Sequence, residues 1–191
     1  MKAIEVLRKL EAINKPFYTI SDLEKITRLS RGALYVALKR WVEMKVIERI
    51  GQGIYIPFGK DLDIERVAGQ IYLPCYLSFE YVLSKYGILN LVPYTLTFAT
   101  PRKSRRYTIA GRDVEFRKIK QGLFWGFRDT ESACIAEKEK AFLDQIYFHK
   151  KGIGSFDIAE MNLGILSKRK LHKYAKRYPG YVEAFLHKIK L

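Results

Sequence analysis

The punctuation of the first sixty residues constrains this chain more than any other feature in it. Met1 to Ala12 carries Ile4, Leu7 and Leu10 at helical spacing, and Pro16 bars continuation of that helix. Ser21-Asp22-Leu23-Glu24 has the form of a capping box, in which the Ser21 hydroxyl accepts from the Glu24 amide and the Glu24 carboxylate reaches back. It predicts a short second helix over Asp22–Arg28 with Leu23 and Ile26 inward. Leu29-Ser30 is a tight connection with Ser30 as a second N-cap, and a longer third helix follows from Arg31 to about Lys45. Val46–Ile50 and Ile54–Pro57 are two short β-branched runs around Gly51-Gln52-Gly53, which predicts a hairpin.

Helix, short capped helix, tight turn, longer helix and glycine-tipped hairpin follow one another in the order of a winged helix-turn-helix, with the hairpin as the wing. At about 100° per residue, the third helix puts Ala33, Leu34, Ala37, Leu38, Trp41 and Val42 on one half. Gly32, Val36, Lys39 and Glu43 lie opposite, flanked by Tyr35 and Arg40. A recognition helix needs such a face: no side chain where the backbone nears the groove, then long donors for base edges and phosphates. Arg31, Gly32, Tyr35, Val36, Lys39 and Arg40 are therefore the candidate DNA contacts on this helix, joined by Arg49 and Gln52 of the wing. The competing reading is a helical module used only for packing.

Charge points the same way. The chain has 35 Lys and Arg against 20 Asp and Glu, a formal net charge of +15, and residues 1–60 hold twelve basic against six acidic groups. Such an excess suits nucleic acid or an anionic membrane surface. No apolar run approaches the ~18 residues of a spanning helix; the richest, Ile71 to Val82, is interrupted by Pro74, Ser78 and Glu80. Glu5, Arg8, Lys9 and Glu11 break what would be the apolar part of a secretory leader, so a cytoplasmic protein without a membrane partner is expected. Cys75 and Cys134 stand far apart and read as buried free thiols. Together with His149, His172 and His187 they give no metal-ligand spacing, so neither a metal nor a cofactor is expected.

Pro57-Phe58-Gly59-Lys60-Asp61 marks a short boundary, which divides the chain into a domain of residues 1–60 and a second of 61–191. Asp61–Tyr72 reads as a helix, and Ser78 caps another that ends at Gly87. Strand patterns follow over Thr95–Ala99, Tyr107–Ile109 and Val114–Ile119, the last two flanking a turn at Ala110-Gly111-Arg112-Asp113. Leu123, Trp125 and Phe127 alternate again. An amphipathic helix is predicted from about Ala133 to Phe148. In the tail, Ser167 caps Lys168–Arg177, and Val182, Phe185, Leu186 and Ile189 form a helical stripe. The second domain is thus expected to be α+β, with a small antiparallel sheet and C-terminal helices.

Two basic clusters stand out there: Arg102, Lys103, Arg105 and Arg106 between two strands, and Lys168, Arg169, Lys170, Lys173, Lys176 and Arg177 in the tail. The tail cluster suits a solvated face, whereas the denser loop cluster suits contact with an anion, either phosphate or an acidic partner. Asp113-Val114-Glu115-Phe116-Arg117-Lys118 resembles the carboxylate strand of a metal-dependent nuclease, but Arg117 stands where a lysine is needed. A solvent-facing strand of alternating charge accounts for it better. No Ser/His/Asp triad or glycine-rich phosphate loop is legible, and no catalytic residue is assigned.

Two stretches carry a family resemblance. One is Tyr76-Leu77-Ser78-Phe79-Glu80-Tyr81-Val82-Leu83 through Tyr86-Gly87-Ile88-Leu89, with Thr97-Phe98-Ala99-Thr100-Pro101-Arg102-Lys103-Ser104-Arg105 beyond it. The other is Ile135-Ala136-Glu137-Lys138-Glu139-Lys140-Ala141-Phe142-Leu143-Asp144, in which the string 139–144 is the most telling. With the winged helix in front, the chain resembles the AbiEi-type antitoxins of bacterial type IV toxin–antitoxin and abortive-infection systems. The resemblance implies an N-terminal domain that binds inverted repeats in its own promoter and represses the operon. It also implies a C-terminal domain that counteracts a nucleotidyltransferase toxin without a stable complex between the two. The other expectation open at this level is a nucleic-acid-processing enzyme that its winged helix delivers to DNA.

Overall fold

This mixed α+β protein divides into two units. The computed structural model describes residues 2–153 and 157–191, with eight α-helices and two sheets among them. One unit takes in residues 1–67 with 107–111, the other 68–106 with 112–191.

In the first unit, helix α1 (Ala3–Ile13) ends at Asn14 in the left-handed conformation; Met1 lies outside the described residues. Its inward face is Val6 and Leu10, while Ile4 points to solvent, so the buried stripe is rotated from the Ile4–Leu7–Leu10 reading. Strand β1 (Tyr18–Thr19) leads into α2 (Ile20–Thr27). The expected Ser21 capping box is not what starts this helix. Thr19 is the N-cap, its hydroxyl accepting from the Asp22 amide while the Asp22 carboxylate accepts from the Thr19 amide and hydroxyl. Asp22 prevails because it is itself a carboxylate three residues from a β-branched cap, and Lys15 at 2.6 Å holds it in place. Helix α3 (Arg31–Glu43) follows, with Ser30 at its N-cap but without a side-chain cap bond.

Strands β2 (Ile47–Gly51) and β3 (Ile54–Pro57) form the predicted hairpin, and β1 adds to it in the antiparallel order β1-β3-β2. The register shifts between Arg49 and Gly51, and Gly53 at the tip has φ +70°, a conformation that only glycine adopts without strain. Val6, Leu10, Tyr18, Leu23, Leu34, Ala37, Leu38, Trp41, Ile47 and Tyr55 close the core of this unit.

Helix α4 (Ile64–Ile71) carries the chain into the second unit, and the elements that follow are β4 (Tyr76–Leu77), α5 (Phe79–Lys85), β5 (Leu96–Thr100), β6 (Arg105–Ile109), β7 (Arg112–Lys118), β8 (Phe127–Arg128), β9 (Ile135–Ala136), α6 (Lys138–His149), α7 (Lys168–Ala175) and α8 (Gly180–Lys188), of which residues 107–109 of β6 fall in the first unit. The sheet is neither small nor antiparallel throughout. Its six strands run β6-β7-β5-β4-β9-β8, with β5 parallel to β7 and β4 parallel to β9. Ala110 and Gly111, with φ of 47° and 77°, make a tight turn between β6 and β7, and β7 rather than β6 lies beside β5. All five residues of β5 are buried, as in a strand covered on both faces.

Two further readings are corrected. The helix expected from Ala133 begins at Lys138, because Ile135 and Ala136 pair with β4 and β8. The alternation Leu123–Phe127 is not one strand: Gln121–Leu123 is a 3-10 turn, and Gly126 at φ +75° separates it from β8. Helix α6 is buried along its whole length from Glu139 to Phe148, packed against α5, α7 and α8. A helix buried all round is the centre of its unit.

Candidate nucleic-acid interface and a buried polar network

The two sides of α3 differ sharply. Leu34, Ala37, Leu38 and Trp41 are buried, whereas Arg31, Gly32, Tyr35, Val36, Lys39 and Arg40 are all exposed. Val36 is 74% and Tyr35 51% accessible, a heavy exposure of apolar surface on a helix that carries three cations. Ala33 and Val42, expected inward, are exposed as well. Among the described residues nothing lies within 4 Å of where a Cβ on Gly32 would stand, so that turn of backbone is open to approach. Arg31 is held only loosely, with Glu24 at 3.9 Å and the Tyr35 hydroxyl one turn away.

An open groove runs between α3 and the β2–β3 hairpin, with Tyr35, Lys39, Glu43 and Arg49 among its walls. The fold thereby brings together Lys39 of the helix and Arg49 of the hairpin. Arg49 also folds back on its own strand, donating from Nε to the Gly51 carbonyl at 3.2 Å. Gln52 sits exposed at the hairpin tip, apart from that groove.

In the second unit, the four cations of the 102–106 cluster are not equivalent. Arg102 lies over the Tyr72 ring at 4.2 Å and donates to the Leu73 carbonyl, and Arg105 approaches the same ring at 5.1 Å. The Tyr72 hydroxyl in turn donates to the Lys103 carbonyl, so Tyr72 fixes the course of the loop. Arg106, on β6, is paired with Glu115 at 3.0 Å. The mutual repulsion of these cations is thus relieved in part by an aromatic face, a carbonyl and a carboxylate.

The strand Asp113–Lys118 is less solvent-facing than its alternating charge suggests. The Arg117 side chain is 11% exposed, lies over Phe79 at 4.8 Å and is paired with both Glu80 and Glu115. Arg112, Glu115 and Arg117 are half-buried, and Asp113 and Lys118 are exposed.

A polar network inside the second unit has no counterpart in the expected sites, although part of it lies in the string 139–144. Lys140 and Asp144, one turn apart on α6, are 0% exposed and 2.5 Å apart. The Asp144 carboxylate accepts from the hydroxyls of Tyr178 (2.7 Å), Ser78 (2.8 Å) and Tyr76 (3.0 Å). Lys140 also donates to the Tyr178 hydroxyl, and its ammonium lies 5.1–5.4 Å from the ring centres of Tyr76, Trp125 and Tyr178. Gly126 borders it: a Cβ there would stand 3.1 Å from the Lys140 stem, so the network needs glycine at this point. Burial pushes the Lys140 ammonium down, against the pull of Asp144. Burial likewise drives the Tyr178 and Tyr76 hydroxyls well up, Asp144 adding to the effect, so both stay protonated and available to donate. Cys75 is buried as expected, and burial raises its thiol to about 12; Cys134 is only half-buried, and desolvation together with its hydrogen bond to Asp129 raises it to about 11.

Three partly buried carboxylates set an acid limit. For Asp22, Glu115 and Glu137, burial works to raise the carboxyl, but Lys15, the Arg117–Arg106 pair and Lys170 respectively outweigh it and leave each below its ordinary value. Folding is therefore favoured by these groups above the ordinary carboxylate range, and that contribution is lost as pH falls through the lower folded values. We expect the thermal midpoint to be flat near neutrality and to drop below about pH 4, with the Lys15–Asp22 and Lys170–Glu137 pairs each contributing under about 1 kcal/mol because they are solvent-screened. A midpoint unchanged down to pH 3 would refute it.

Among the described residues no helix is long and apolar enough to cross a membrane. No protein-family model matches the chain, and no curated protein matches it either.

Proposed function

We propose that the first unit is a winged helix-turn-helix that binds double-stranded DNA, and that the protein is the repressor and antitoxin of a type IV toxin–antitoxin system. The observation that carries the DNA-binding part is the outward face of α3, where Arg31, Tyr35, Val36, Lys39 and Arg40 are exposed together beside the β2–β3 hairpin. In this reading α3 lies in the major groove and the hairpin follows the backbone. Lys39 and Arg40 reach bases and phosphates, while Arg49 and Gln52 hold backbone or minor groove. The net charge of +15 supplies the non-specific attraction. The antitoxin part rests on the resemblance to AbiEi-type proteins. It assigns counteraction of a nucleotidyltransferase toxin to the second unit, in the cytoplasm, with Arg102, Lys103, Arg105 and Arg106 as the anion-contacting group.

The test is a gel-shift titration with duplex from the protein's own promoter and with random duplex. Lys39→Ala/Arg40→Ala is expected to weaken promoter binding by about 2–4 kcal/mol and to narrow the gap to random DNA. Arg49→Ala should weaken both duplexes alike and reduce the salt slope by about one. Equal affinity of parent and double variant for the promoter would end the DNA-reading assignment. Replacing Arg102, Lys103, Arg105 and Arg106 with Gln should leave promoter binding in place and abolish protection from a co-expressed toxin. Survival of that protection would remove the loop from the antitoxin function.

A further inference from the structure

We infer that His172, Glu183 and His187 form a binding site for a divalent transition-metal ion, with Zn²⁺ the best fit, at the α7–α8 hairpin. Glu183 and His187 stand four residues apart on one face of α8, and α7 brings His172 against them. One ligand atom from each of the three side chains lies within 4.8 Å of the other two. Tetrahedral zinc with bonds of about 2.0–2.1 Å needs its ligands about 3.4 Å apart. The three side chains are partly or fully exposed, so rotation about their own bonds closes that difference without moving either helix.

The chemistry of the set points to a metal rather than to an ordinary surface contact. The two imidazole rings lie 5.4 Å apart, close enough for both to face one ion. Glu183 has no hydrogen-bond or ion-pair partner among the described residues, in a chain where basic groups outnumber acidic ones 35 to 20. His172 Nε2 lies 3.1 Å from the Leu191 backbone oxygen. That oxygen only accepts, so Nε2 carries the proton and the lone pair of the neutral ring is on Nδ1. An outer contact of this kind is what orients metal-binding histidines. Two imidazoles and one carboxylate are a zinc donor set that leaves a fourth position for water. Oxygen-seeking Mg²⁺ and Ca²⁺ gain little from two imidazoles. Lys173 and Lys188, next in sequence to two of the ligands, oppose any cation, but they do so across solvent and within screening distance of salt.

The site lies outside both the DNA-reading face and the 102–106 loop, so its test is independent of the proposed function. The full chain, stripped with a chelator, is titrated calorimetrically with Zn²⁺ alone. One equivalent is expected to bind and to raise the thermal midpoint. His187→Ala and His172→Ala should each weaken binding by about 100-fold, the upper end of the range for outer-shell partners, and Glu183→Gln by about tenfold. His149→Gln, at the remaining histidine of the chain, should bind as the parent does. His187 is exposed, so its variant keeps the parent midpoint without metal and separates loss of a ligand from loss of the fold. Absence of saturable binding by the parent overturns the proposal. So does undiminished binding by His187→Ala, which would move the ion elsewhere, or equal loss in His149→Gln.

Discussion

Asp144→Ala is expected to destabilise the protein by about 5 kcal/mol, and Lys140→Met by about 3 kcal/mol. The asymmetry follows from what each deletion strands. Without Asp144, a fully buried ammonium keeps the Tyr178 oxygen and three aromatic faces but no counter-charge, and the hydroxyls of Ser78, Tyr76 and Tyr178 lose their acceptor. Each stranded hydroxyl adds about 1–3 kcal/mol. Without the Lys140 ammonium, Asp144 retains its three hydroxyl donors, and a methionine stem still fills the space beside Gly126. For the same reason the double change Lys140→Met/Asp144→Leu is not expected to recover stability, as it does when a simple buried ion pair becomes apolar. Equilibrium unfolding in urea measures all three. Costs below 1 kcal/mol for both single variants would mean that the network is solvated and the burial argument is wrong.

The second large effect lies in the first unit. Trp41 is almost wholly buried at the centre of its core, and its Nε1 has no hydrogen-bond partner among the described residues. Trp41→Ala is expected to cost about 3–5 kcal/mol by opening a cavity. Trp41→Phe removes less volume and also removes the stranded N–H, whose burial costs about 1–3 kcal/mol. It should therefore be disproportionately mild, under about 1.5 kcal/mol. Circular dichroism melts of the two variants separate the effects: if Phe costs as much as Ala, the unpaired N–H carries no penalty and packing decides everything.

The residues that were legible in sequence are those governed by local rules. The outward side of α3 follows from a 3.6-residue period, and the hairpin follows from Gly51 and Gly53. The α7 cap at Ser167 is a local hydroxyl-to-amide bond, made here to Lys170. What was not legible depends on partners distant in the chain. Ile135 and Ala136 read as helix until β4 claims them as strand. β5 and β7 are neighbours although β6 lies between them in sequence. Lys140 and Asp144 have the spacing of a solvent-exposed helical pair, and nothing local says that α5, α7 and α8 enclose it. Thr19 and Asp22 were readable as a capping box, but Ser21-x-x-Glu24 offered the same form two residues later. His172 pairs with α8 only because the chain turns back at Pro179, and no spacing rule connects it to Glu183.

The parallel pairing of Leu77 with Ile135 also bears on the order in which the chain acquires structure. β4 lies in the middle of its sheet, yet one of its edges can be satisfied only by residues nearly sixty positions later. The helices and hairpin within residues 1–60 close through short loops and are free to form as soon as they emerge from the ribosome. β4, by contrast, must wait with an open edge until β9 has been synthesised, and non-local closure of this kind slows folding. In the first part of that interval β5 also has an open edge, until β7 emerges to pair with it. A nascent chain halted before residue 135 is therefore expected to be more aggregation-prone and protease-sensitive than the full chain.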